Sequence, residues 1–83
     1  VSKSNLDSLK HQLSNYGIED EDIEELSEIV QTENPNSVNT KLGEKSNSWI
    51  LKIAGKALSG VGKIATGISS NILTNVIRQY YGI

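Results

Sequence analysis

The stretch Trp49–Ile83, WILKIAGKALSGVGKIATGISSNILTNVIRQYYGI, decides the fold. At about 100° per residue, Ile50, Ile53, Ala54, Ala57, Leu58, Val61, Ile64, Ala65, Ile68 and Ile72 share one arc of about 140°. A stripe of this period is an amphipathic helix. Lys52, Lys56 and Lys63 take the opposite arc with Ser59, Thr66 and Ser70. Leu73, Val76, Ile77 and Tyr80 fall on a second stripe, turned by about 100° from the first. The switch lies at Gly67-Ile68-Ser69-Ser70, and Gly/Ser pairs are a cause of kinks. The spacing predicts a long helical segment over residues 44–83 with a break or sharp kink between residues 66 and 71, and three or four helices in all.

A straight helix of about 37 residues would run roughly 55 Å. A domain of this length has a radius of gyration of only about 12 Å. The segment must bend, break or find cover from another chain. Its glycines are patterned as well. Gly55 and Gly62 flank the stripe on one side, Gly60 and Gly67 on the other. Each costs about 0.8–1 kcal/mol against Ala inside a helix. Close approach of neighbouring backbones would offset that, because small residues permit it.

Working back toward the N-terminus, residues 34–43 (NPNSVNTKLG) are rich in turn formers and read as a loop. Residues 4–33 read as a helical hairpin. Leu6, Leu9, Leu13 and Tyr16 share one face, with Asn5 or Ser4 as cap and Gly17 at the stop. Ile23, Leu26, Ile29 and Val30 share the face of a second helix. Asp20 is its expected N-cap, and Glu21 and Asp22 suit the positive end of the helix dipole. The short link between the two makes antiparallel neighbours.

Charge divides the chain. Residues 1–42 carry three lysines against nine acids, a net −6, and residues 43–83 carry five cations against one acid, a net +4. Either the halves attract each other, or the basic half meets an anionic partner. The chain begins with Val and has no Met, which reads as a domain excised from something longer or a processed product.

Composition excludes much chemistry. There is no cysteine, so neither a disulfide framework nor a thiolate metal site is available. His11 is the one histidine and sits off the leucine stripe. The acidic run Glu19–Glu25 lacks the glycine and the terminal bidentate glutamate of an EF-hand loop. Gly60-Val61-Gly62-Lys63 matches only the end of a phosphate-binding loop, without the leading glycine. Five dispersed cations beside an acidic half argue against nucleic acid. No metal, cofactor or catalytic residue is expected.

Several segments resemble a known family. YGIEDEDIEELSEIV, KLGEKSNSWILKIAGKALSG and IATGISSNILTNVIRQYYGI are similar to the C-terminal region of AbiTii-type bacterial proteins, which are linked with abortive phage infection. The most specific pieces are Lys41-Leu42-Gly43, Trp49, Lys56-Ala57-Leu58-Ser59-Gly60 and Tyr80-Tyr81-Gly82. The resemblance implies a C-terminal module of a cytoplasmic bacterial phage-defence protein. It implies no reaction.

The expected fold is all-α: an acidic hairpin packed on a long, glycine-punctuated amphipathic helix. The stripe has more apolar residues than the hairpin readily covers, and large uncovered patches mark interaction sites. The expected role is self-association, or docking onto another domain of the parent protein. The interaction residues would be Trp49, Ile50, Ile53, Ala57, Leu58, Val61, Ile64, Ile68 and Ile72. Gly55, Gly60, Gly62 and Gly67 would allow close approach, and Tyr80 and Tyr81 would anchor the end. The alternative is a membrane-active amphipathic helix restrained by the hairpin, with Lys52, Lys56 and Lys63 toward phosphates or a lumen.

Overall fold

A computed structural model of the chain describes residues 4–33, 42–60, 64–65 and 67–82. It contains four helices, and no strand occurs among the described residues.

The first helix, α1 (Leu6–Asn15), starts where the Asn5 side chain accepts a hydrogen bond from the Ser8 amide at 3.0 Å. It stops at Gly17, whose φ of 81° supplies the left-handed residue that ends many helices. Leu9 and Leu13 are buried, and Leu6 and Tyr16 pack partly against them. The second helix, α2 (Asp20–Thr32), starts one residue earlier than expected. Glu19 is its N-cap, and no side chain bonds there, so Asp20 belongs to the first turn with Glu21 and Asp22. Ile23, Leu26 and Val30 are buried.

The long helical segment expected over residues 44–83, with its break or kink, contains two helices. The third, α3 (Glu44–Ser59), ends at Gly60, whose φ is 68° and whose amide reaches back to the Ala57 and Lys56 carbonyls. The fourth, α4 (Ser70–Tyr81), begins where the Ser69 hydroxyl accepts from the Ile72 amide, and ends at Gly82 with φ 75°. Residues 64–65 and 67–69 are not helical. The first of the two thus stops at Gly60, ahead of the expected break or kink at residues 66–71, and the second begins inside that range at Ser70. A left-handed glycine satisfies the terminal carbonyls of a helix and turns the chain away from its axis. Val61 and Gly62, expected on the stripe and its flank, lie outside the described residues. So do Lys63, Thr66 and residues 34–41 of the expected loop.

Each helix packs on two neighbours: α1 on α2, α2 on α3, α3 on α4 and α4 on α1. The ring encloses one core, in which Leu9, Leu13, Leu26, Trp49, Ile53, Leu73 and Ile77 are essentially inaccessible to solvent. Ring closure is helped at two points. The Ser4 amide donates to the Tyr80 carbonyl at 2.7 Å, and the Ala65 amide to the Tyr16 carbonyl at 2.8 Å. The longest extent is 35 Å and the radius of gyration 11.8 Å, so the break at Gly60 resolves the overhang that one helix would have made.

Candidate interaction surface

The surface offered by α3 is set by what holds α3 in place. Trp49 leads. Its ring is 2% exposed, and its indole N–H donates to the Asp22 carbonyl of α2 at 2.9 Å. A buried indole needs such a partner. One turn further on, Lys52 and Lys56 reach the Asp22 carboxylate from above. Lys56 Nζ lies 2.7 Å from Oδ2 and Lys52 Nζ 3.4 Å from Oδ1. Lys52 also pairs with Glu25. Burial pushes the Asp22 carboxyl up, but the Lys56 hydrogen bond and the charges of both lysines outweigh it and hold it below its ordinary value. Glu25 raises Lys52 and Asp22 raises Lys56, each against some desolvation. The attraction between acidic and basic halves is thus met inside the chain for these two lysines.

A second carboxylate fixes where α3 begins. Gly43 is its N-cap and has no side chain to cap with. Glu33, just past the end of α2, supplies the missing acceptor. It takes hydrogen bonds from the Lys45 amide at 2.9 Å, the Ser46 amide at 3.1 Å and the Ser46 hydroxyl at 2.8 Å. The two amides are donors that a helix start leaves unpaired. Burial raises the Glu33 carboxyl, yet these donors and the Lys45 charge leave it below its ordinary value. The Glu33 carbonyl meanwhile accepts from the Tyr81 hydroxyl at 3.1 Å, so α2, α3 and α4 meet at one residue.

With α3 held this way, the expected interaction residues separate. Trp49, Ile50 and Ile53 are consumed by the chain's own core. Ala57, Ile64, Ile68, Ile72, Tyr80 and Tyr81 are half-buried; the two tyrosine rings meet edge to face at 5.5 Å. Burial raises the Tyr81 hydroxyl above its ordinary value. Leu58 is 90% exposed. Gly60 and Gly67 are turn residues with positive φ, not close-approach points within a helix. Gly55 is helical and exposed, and no atom lies within 4 Å of where its Cβ would be.

The core arc of α3 is centred near Ile53, turned by about 60° from the arc that the spacing predicts. Trp49 and the two lysine pairs cause the turn, because all three point α3 toward α2. The arc opposite the core consequently mixes exposed apolar residues with Glu44, Asn47 and Ser48. It carries Leu51, 69% exposed, and Leu58, seven residues apart on nearly one meridian, with Gly55 between them. Leu51 is not among the expected site residues. The question that finds it is what faces away if Trp49 must face in.

Between α2 and α3 runs an open groove of about 760 Å³, lined by Ile29 and Trp49 and by Glu25, Glu28, Lys45 and Lys52, among others. Its rim carries both signs of charge. Among the described residues no group of three or more side chains could hold a metal ion, and no helix is long and apolar enough to cross a membrane. No family model matches the chain, and no curated protein or solved structure matches it either.

Proposed function

We propose that this chain is a non-catalytic helical interaction module that docks through the outer face of α3. One observation carries the reading. Leu51 and Leu58 are the large apolar side chains left exposed among the described residues, and they share one face of one helix. Burying a leucine side chain is worth about 1.5–3 kcal/mol, so a partner that covered both would gain from each. The setting we propose with it, a bacterial phage-defence protein, rests on the AbiTii-type resemblance of the sequence. Lys52 and Lys56 are engaged by Asp22 and Glu25, which takes from the membrane reading two of the cations it would use.

The test is the solution mass by light scattering, across concentration and with and without detergent, for the wild type and for Leu51→Ser/Leu58→Ser. The expected result is a detergent-free mass above the monomer that falls toward the monomer in the variant. A multimer unmoved by the variant overturns this face as the interface. A species that needs detergent overturns the docking reading in favour of the membrane.

A further inference from the structure

We infer that the groove between α2 and α3 and the acidic side of α2 beside it form one site, and that its occupant is a basic amphipathic helix of a partner protein. This surface is separate from Leu51 and Leu58. The groove supplies an apolar floor, with half-buried Ile29 and Trp49 lining it. The hollow next to it on α2 is lined, among the described residues, by acids alone: Asp20, Glu21, Glu24, Glu25 and Glu28. Glu25 and Glu28 belong to both. Together groove and hollow carry six carboxylates against two lysines, Lys45 and Lys52. Lys52 is turned onto Glu25 and Asp22, and Lys10 reaches Glu24 from α1 at 3.2 Å. The charge of Lys45 acts on Glu33. Among the described residues Asp20, Glu21, Glu28 and Glu44 stand without an ion pair.

This arrangement costs the fold something. Glu21 and Glu25, like Glu24 and Glu28, are four apart on one helix, where like charges repel by about 0.2–0.5 kcal/mol a pair. The last turn of α2 has no base, although its partial negative charge favours one. Lys52 and Lys10 answer Glu25 and Glu24, and Glu21 and Glu28 are left. An acidic helix face alone is ordinary solvated surface, and an apolar groove alone does not say what fills it. Here they adjoin along one helix, with Glu21, Glu25 and Glu28 at i, i+4 and i+7 beside Ile29. The complement is a helix with an apolar face for the groove and cations along one flank. A helix of about 14 residues runs roughly 21 Å, which matches α2 with its 13 residues. The same row of carboxylates repels phosphate, so neither an anionic membrane nor a nucleic acid fits here. No group of three or more side chains among the described residues is placed to hold a metal ion instead.

The probe is a synthetic amidated peptide with leucines on one helical face and lysines on its flanks. A second peptide has the same composition, scrambled so that the face is lost. Each is titrated into the isotope-labelled full chain, and amide NMR shifts are followed at physiological salt, where long-range attraction is screened. The amphipathic peptide should bind about tenfold more tightly than the scrambled one, with shifts gathered on Glu25, Glu28, Ile29, Ser48 and the Trp49 indole. Glu21→Gln/Glu28→Gln changes two exposed residues and removes repulsion, so the fold should hold while binding weakens roughly fivefold. Leu51→Ser/Leu58→Ser should leave peptide binding unchanged, so a failure of the docking face and a failure of the groove are told apart. Equal binding of the two peptides would mean charge attraction alone and overturns the site. Shifts centred on Leu51 and Leu58, lost in their serine variant, overturn the groove in favour of the outer face. Absence of binding up to about 1 mM overturns the occupant.

Discussion

Glu33 caps a helix to which it does not belong, α3, and receives the Tyr81 hydroxyl from another, α4. Gly43 is part of the same device: a Cβ there would lie 2.2 Å from the Glu33 carboxyl carbon. A side chain as flexible as glutamate can move away, so the steric cost is small, but moving away removes the cap. Glu33→Gln and Gly43→Ala should each lower stability by about 1 kcal/mol, the ordinary worth of a helix cap, and the double variant should cost little more than either alone. Urea unfolding of the four proteins checks this. In the sequence Glu33 is only the last acid of an acidic helix. A glycine at an N-cap hints that the acceptor comes from elsewhere, but a local pattern does not say from where.

At the scale of the element, α1 is legible in the sequence because one apolar face, one cap and one stop agree; in α2 the apolar face and the acidic first turn agree, while the cap lies one residue earlier than Asp20. For α3 the period is legible and the phase is not. The averaged stripe points between Ile50 and Ala54; the largest side chain, Trp49, with the lysine pairs beyond it, pulls the helix round toward Ile53. The spacing places the break too late because it weighs the glycines for packing, while Gly60 acts through its backbone. Two glycines should therefore respond with opposite sign. Gly60→Ala forces a side chain into a left-handed residue and should cost about 1 kcal/mol. Gly55→Ala, in an exposed helix interior with nothing nearby, should raise monomer stability by up to about 1 kcal/mol, as read from urea midpoints at a concentration too low for association.

At the scale of the molecule, the all-α class and the attraction between halves follow from composition and charge. The closure of four helices into a ring does not, because it rests on contacts such as Ser4 with Tyr80 that no local pattern encodes. The carboxylates of Asp22 and Glu33 give the whole fold a pH dependence. Both sit below their ordinary values, so they bind protons less readily folded than unfolded. Their stabilisation is complete above the unfolded values of about 3.9 and 4.3 and fades as pH falls through the lower folded ones. Thermal midpoints should hold steady from about pH 7 to 5 and drop below about pH 4. Asp22→Asn and Glu33→Gln should each flatten that drop while lowering the plateau. Trp49, buried against α2, should shift its emission to the red in the same transition that circular dichroism records, as a single cooperative unit requires.

The cap that Glu33 lends to α3 also bears on the order of events in folding. A helix is slow to start and quick to extend, because its first turn fixes several residues for one hydrogen bond. Here the first turn of α3 meets a ready acceptor 13 residues back along the chain, and a loop of that size is inexpensive to close. The start of α3 should therefore form on the end of α2, and a peptide holding α3 alone should be less helical at its start, as circular dichroism would record. Removing the acceptor should slow folding more than it speeds unfolding.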